Sequence, residues 1–211
     1  LIGADGLGKV ARMANLTLSR RAALFLLPAV LAACGGQVER TDFPPLTYEY
    51  LTPIGLNVGS VTVEAGPNAA GPPGDIRAVS PVDPLATLRQ MAQDRLKPFG
   101  SSGRAVLVIN EISLIRNGDH LEGTLGVRLD VYSAGDTRAG FAEARVFRSN
   151  DTGGVVSRTT VYDLLKPLME AMNVEMEFQI RHTLADWLAA APGAAPAAPV
   201  QQQDLTPPQG S

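Results

Sequence analysis

Cysteine and histidine are nearly missing from this chain, which holds one cysteine, Cys34, and two histidines, His120 and His182, in 211 residues. A single thiol allows no intrachain disulfide, so stability has to come from one hydrophobic core. A zinc site wants three or four clustered His, Cys or acidic ligands, and no stretch has that spacing. Nucleophilic catalysis needs an activated Ser, Cys or Lys beside a base. Neither histidine offers one: His120 adjoins the Asn117-Gly118 turn signal and reads as a solvated hairpin residue. His182 lies beside Arg181 in a helical pattern and reads as a helix-surface or partly buried residue. The expectation is a protein that is not an enzyme and uses no cofactor or metal.

Long apolar runs and positive charge are also in short supply. The run Ala22 to Ala33 has 12 residues, short of the roughly 20 that cross a bilayer as a helix. Four of the 18 basic residues and one of the 21 acidic residues precede Cys34, leaving 14 against 20 and a formal charge of −6 for the rest of the chain. That sign argues against nucleic acid, whose affinity rests largely on basic contacts to phosphate, and against electrostatic adhesion to anionic lipid. The glycines at Gly3-Ala4-Asp5-Gly6-Leu7-Gly8-Lys9 have the wrong spacing for a phosphate loop, with no Ser or Thr after the lysine. No repeat at a period of 20 to 50 residues is visible.

What is present is concentrated first in Ser19 to Gly36, SRRAALFLLPAVLAACGG. Two arginines hold the start of the segment on one side of a membrane, a short apolar core follows, and small residues at Ala32 and Ala33 let a peptidase reach the bond before Cys34. Met13 would be a natural initiator. Leu31-Ala32-Ala33-Cys34-Gly35 resembles the lipobox of bacterial lipoproteins. That resemblance implies lipidation of Cys34, cleavage before it and acylation of the new amino terminus. Two or more acyl chains anchor stably where one does not. Gly35 is not the Asp that marks retention in the inner membrane, so the resemblance implies the periplasmic face of the outer membrane, with the inner membrane as the alternative. Ser19-Arg20-Arg21 is similar to the core of a twin-arginine export signal.

The chain divides into a leader and signal peptide (1–33), a lipidated tether (34–50), a folded domain (51–190) and a disordered Ala, Pro and Gln tail (191–211) that cannot bury enough apolar surface to fold. Within the domain, Ile54 to Val63 alternates and predicts one strand. Gly66 to Pro81 is a long Gly and Pro loop, either functional or mobile. Asp83-Pro84 starts a helix with a capping residue and a proline at the first helical position. Its buried stripe is Leu85, Leu88, Ala92, Leu96 and Phe99, and Pro98 and Gly100 end it. Three strands follow: Arg104 to Arg116, Leu121 to Tyr132 and Arg138 to Ser149. Leu125, Val127, Leu129 and Val131 share one face of the second. In the third, Phe141, Glu143, Arg145 and Phe147 oppose the small Ala142 and Ala144. A last helix from Thr160 to Ala190 buries a stripe ending at Trp187, with Pro167 kinking it or marking its start.

The order β-α-β-β-β-α predicts an α+β domain of two layers, a four-stranded and largely antiparallel sheet with two helices on one face. In element order this resembles the auxiliary lipoproteins of ABC-type transport systems and the LptE lipopolysaccharide-assembly lipoproteins. The phrases Pro53-Ile54-Gly55-Leu56-Asn57-Val58 and Ala92-Gln93-Asp94-Arg95-Leu96 are similar to uncharacterised proteobacterial lipoproteins. Arg128, Asp130, Glu143 and Arg145 read as cross-strand ion pairs on a solvated face. Met169, Met172 and Met176 read as core, and exposure of Met169 and Phe178 would instead mark a binding groove. The expected function is a lipid-anchored periplasmic accessory protein that binds another envelope component, a transport or assembly system. The alternative is a carrier or sensor of a small amphiphile such as lipid.

Overall fold

The computed structural model describes residues 40–189; Cys34, its signal segment and the 191–211 tail lie outside them. The fold is the α+β open sheet expected. Strands β2 (Ser60–Ala65), β4 (Arg104–Asn117), β5 (His120–Tyr132) and β6 (Arg138–Asp151) form a four-stranded sheet in the order β2-β4-β5-β6. β2 and β4 are parallel, and the other two pairs are antiparallel. Helices α1 (Pro84–Arg95) and α2 (Arg158–Thr183) contribute their apolar sides to the same core as the sheet.

Turn and cap chemistry set the boundaries. Gly118 has φ 62 at the first position of the two-residue β4–β5 loop, the place where a II′ turn wants glycine. The Asp83 carboxylate accepts from the Leu85 amide at the start of α1. Ser157 and Thr160 bond each other's backbone amides at the start of α2. α2 passes through Pro167 without ending. Ala142 and Ala144 are buried on β6, and a Cβ added to Gly123 would come within 2.7 Å of Leu168, so small side chains let α2 lie close on the sheet.

Several expectations need correction. The alternating stretch 54–63 is two strands, β1 (Ile54–Leu56) and β2, because the Val58 amide turns back to the Leu56 carbonyl at 2.8 Å. α1 ends at Arg95, ahead of Pro98, and β3 (Leu96–Pro98) leaves it to pair in parallel with β1 in a separate two-stranded sheet. Phe99 is therefore half-exposed and not part of the stripe. α2 stops at Thr183; Trp187 sits half-buried on a following 3-10 turn whose carbonyl accepts from Asn57 at 2.7 Å.

The chain before β1, expected to be tether up to residue 50, packs on the domain: Tyr48 is 3% exposed, and the Tyr162 hydroxyl donates to the Pro44 carbonyl at 2.8 Å. The loop after β2 is pinned, not free. β4 runs eight residues past its pairing with β2, and the loop covers that edge. Ile76 donates to the Leu114 carbonyl at 2.8 Å, and the Leu114 amide donates to Asp75 at 3.2 Å. Arg77 donates to the Ile112 carbonyl at 2.8 Å.

Candidate functional site

Among the described residues, the space between the sheet and α2 is filled. Leu107, Val127, Leu129, Ala142, Ala144, Met176 and Ile180 meet between sheet and α2 with no space for a water molecule. Met169, Met172 and Met176 are buried, as core packing requires. Among the described residues no group of three or more His, Cys, Asp or Glu is placed to hold a metal. His120 is exposed beside its turn, and His182 is exposed on α2, its ring stacked on Phe178 at 5.9 Å.

The far face of the sheet is open, and chemistry collects there. Alternation sends Tyr132, Asp130 and Arg128 of β5 to this face, with Phe141, Glu143, Arg145 and Phe147 of β6 beside them in register. Asp130, 7% exposed, accepts from Arg128 at 3.0 Å and Arg138 at 2.7 Å. Those two guanidiniums flank the Phe141 ring at 5.0 and 4.5 Å, and Arg104 lies 3.9 Å over Tyr132. Arg145 reaches across Gly126 to grip Glu111 with bonds of 2.8 and 3.2 Å, which push its guanidinium above its ordinary value. The expected set thus divides: Arg128 and Asp130 come together, Arg145 turns to Glu111, and Glu143 holds no ion pair among the described residues. Arg138 and Glu111 were missed, since nothing in the local pattern marks a partner one or two strands away.

Beside this face lies the outer edge of β6. The Phe141 carbonyl, 3.1 Å from the Thr183 hydroxyl, points away from β5. Backbone direction alternates along an antiparallel strand, so Glu143, Arg145 and Phe147 also aim their N–H and C=O groups outward. An open cleft of 580 Å³ runs along this edge, between Arg145 to Arg148 and the α2 flank of Pro167, Glu170, Ala171, Val174 and Glu175. Val174 and Phe178, four residues apart on α2, are 66% and 58% exposed. A second open cleft, of 500 Å³, lies between the loop at Pro67 to Pro73 and Asn110 to Ser113 of β4.

No protein-family model and no curated protein matches the chain. Among solved structures, a minor lipoprotein from Acinetobacter baumannii is similar at a TM-score of 0.31 and 12% identity, over 64% of this chain and 98% of that one. A likeness so slight bears on neither fold nor function.

Proposed function

We propose that this chain is a lipid-anchored protein of the bacterial cell envelope that performs no chemistry and binds another envelope component. Its anchor is Cys34, and its place is the periplasmic face of the outer membrane. The observation that carries the reading is the order of features in Ser19 to Gly36: paired arginines, a 12-residue apolar core, then Leu31-Ala32-Ala33-Cys34. An open face of arginine and aromatic side chains supports the binding reading. The component is an envelope protein of a transport or assembly system, met by that face.

Labelling with a radioactive fatty acid tests the anchor. Wild type should take up label and sediment with membranes, and Cys34→Ala should do neither; normal labelling of the variant would overturn the reading. A photo-crosslinking residue in place of Tyr132 should trap one envelope protein in living cells, and no adduct would count against binding by the face. Carriage of a small amphiphile is the second reading, favoured by the 500 Å³ cleft under the loop. Saturable fatty-acid binding, lost in Asn68→Trp, would favour it.

A further inference from the structure

β6 carries a sequence that complements itself. Reading outward in both directions from Ala144, the chain meets Arg145 and Glu143, then Val146 and Ala142, then Phe147 and Phe141. The strand is 14 residues long and ends the sheet, paired on one side only with β5. We propose that β6 pairs with β6 of a second copy, antiparallel about a twofold axis at Ala144, joining two four-stranded sheets into one of eight strands.

The register follows from charge and backbone direction together. Glu143, Arg145, Phe141 and Phe147 aim their backbone groups outward, while Ala144 aims its groups at β5. An axis at Ala144 therefore makes Ala144 a non-hydrogen-bonded pair with its copy. Glu143 and Arg145 of opposite copies become a hydrogen-bonded pair, as do Phe141 and Phe147. Each opposition occurs twice, as an isologous interface requires. An axis at Glu143 would set Glu143 against its own copy, and an axis at Arg145 would set Arg145 against its own; like charges directly opposite are destabilising. An axis at Ala142 or Val146 puts an aromatic ring opposite a charge. An axis between residues pairs an outward group with an inward one and forms no ladder. Ala144 alone brings opposite charges and aromatic rings together.

The helix layer agrees. Thr183 lies beside Phe141, and Pro167 to Val174 lie beside Arg145 to Phe147, so α2 runs antiparallel to β6. The same axis brings the exposed Phe178 end of one α2 toward the Pro167–Ala171–Val174 flank of the other, where the 580 Å³ cleft stands open. Glu143, without an ion pair among the described residues of its own copy, joins Arg145 of the other, which already holds Glu111. Helix flank, edge and open face are thus covered or extended by one operation.

The experiment is capture between two differently tagged full-length copies, coexpressed and extracted from the envelope in mild detergent. Wild-type copies should recover each other. Glu143→Arg in both copies, or Arg145→Glu in both, sets like charges opposite twice and should cut recovery roughly tenfold or more. One copy with Glu143→Arg and the other with Arg145→Glu restores both oppositions and should recover each other as wild type does. Both positions are exposed, so neither change reaches the core; Arg145→Glu gives up the surface bonds to Glu111, and recovery of the mixed pair shows that both variants fold. No recovery between wild-type copies, equal recovery in all four pairings, or failure of the mixed pair would each overturn the proposal. Bridging by a separate envelope protein would not be rescued by exchanging charges between copies, so this test fails or succeeds apart from the functional reading.

Discussion

Arg95 shows how a single residue can hold segments far apart in sequence. At 2% exposure its guanidinium donates to Asn173 at 2.8 Å, to Glu177, and to the Thr52 carbonyl, tying α1 to α2 and to the chain before β1. Its neighbour Asp94 accepts from the Tyr48 amide at 2.8 Å and from Gln90 at 2.7 Å. Arg95→Ala strands the buried Asn173 oxygen and removes the ties to the Thr52 carbonyl and to Glu177, which keeps Arg181, and should cost about 2–3 kcal/mol, read as a lowered urea midpoint; an unchanged midpoint would mean water replaces the guanidinium freely. Tyr48 adds a dependence on pH. Burial pushes its hydroxyl above the ordinary tyrosine value, with Tyr50 and Glu170 acting in the same sense. The folded state then holds that proton more tightly than the unfolded chain, so stability is whole below about pH 10 and falls as pH rises past it. Between about pH 9 and about pH 11, Tyr48→Phe should lose less stability than wild type. Tyr162, also pushed up by burial, keeps part of the loss in the variant. Parallel losses would exclude Tyr48 as a titrating group.

Among the elements, the short segment after α2 does more than its length suggests. Leu184 is 1% exposed, Leu188 bridges to Leu56, and Ala189 donates to the Gly55 carbonyl at 2.9 Å, so residues 184–189 clamp β1. A chain ending at Ala191 should melt as the full one does, and a chain ending at Thr183 should be weaker by about 3 kcal/mol or more, mainly through the loss of buried Leu184. Equal stability of the two would show the clamp to be idle. Leu129→Asp tests the sheet, since it puts an unpaired charge at a site 1% exposed between β5 and α2 and should prevent folding; a native circular-dichroism spectrum would refute that face assignment. These features differ in how openly the sequence announces them. Asp83-Pro84, Asn117-Gly118 and the alternation of β5 and β6 are local signals, and each element appears there, with the turn one residue later at Gly118-Asp119 and Asn117 closing β4. The break at Asn57 to Gly59 hides because Ile54, Leu56 and Val58 are all buried on one alternating pattern while the chain changes sheets. Arg95 hides because a charge in a helical stripe reads as solvated until its partners, 43 to 82 residues away, arrive.

For the molecule as a whole, the stretch of β4 that runs past β2 and the long edge at β6 have opposite fates. The β4 edge beyond β2 is sealed by the loop through Asp75, Ile76 and Arg77, whereas β6 is left with an outer row of backbone groups and a matched pair of charges beside it. Proteins usually blunt such an edge or cover it, and pairing with a second copy covers it. Amide exchange separates the two states residue by residue. In the Glu143→Arg chain, held as a monomer, the amides of Arg145 and Phe147 face solvent and should exchange fast. Those of Ala142, Ala144 and Val146 are bonded to β5 and should exchange slowly. In wild type the outward set should slow toward the inward set, because the second copy supplies acceptors at the same register. The alternation of fast and slow amides is the informative quantity, since general stabilisation would slow both sets together. Fast exchange at Arg145 and Phe147 in the wild-type chain would mean the edge stays open.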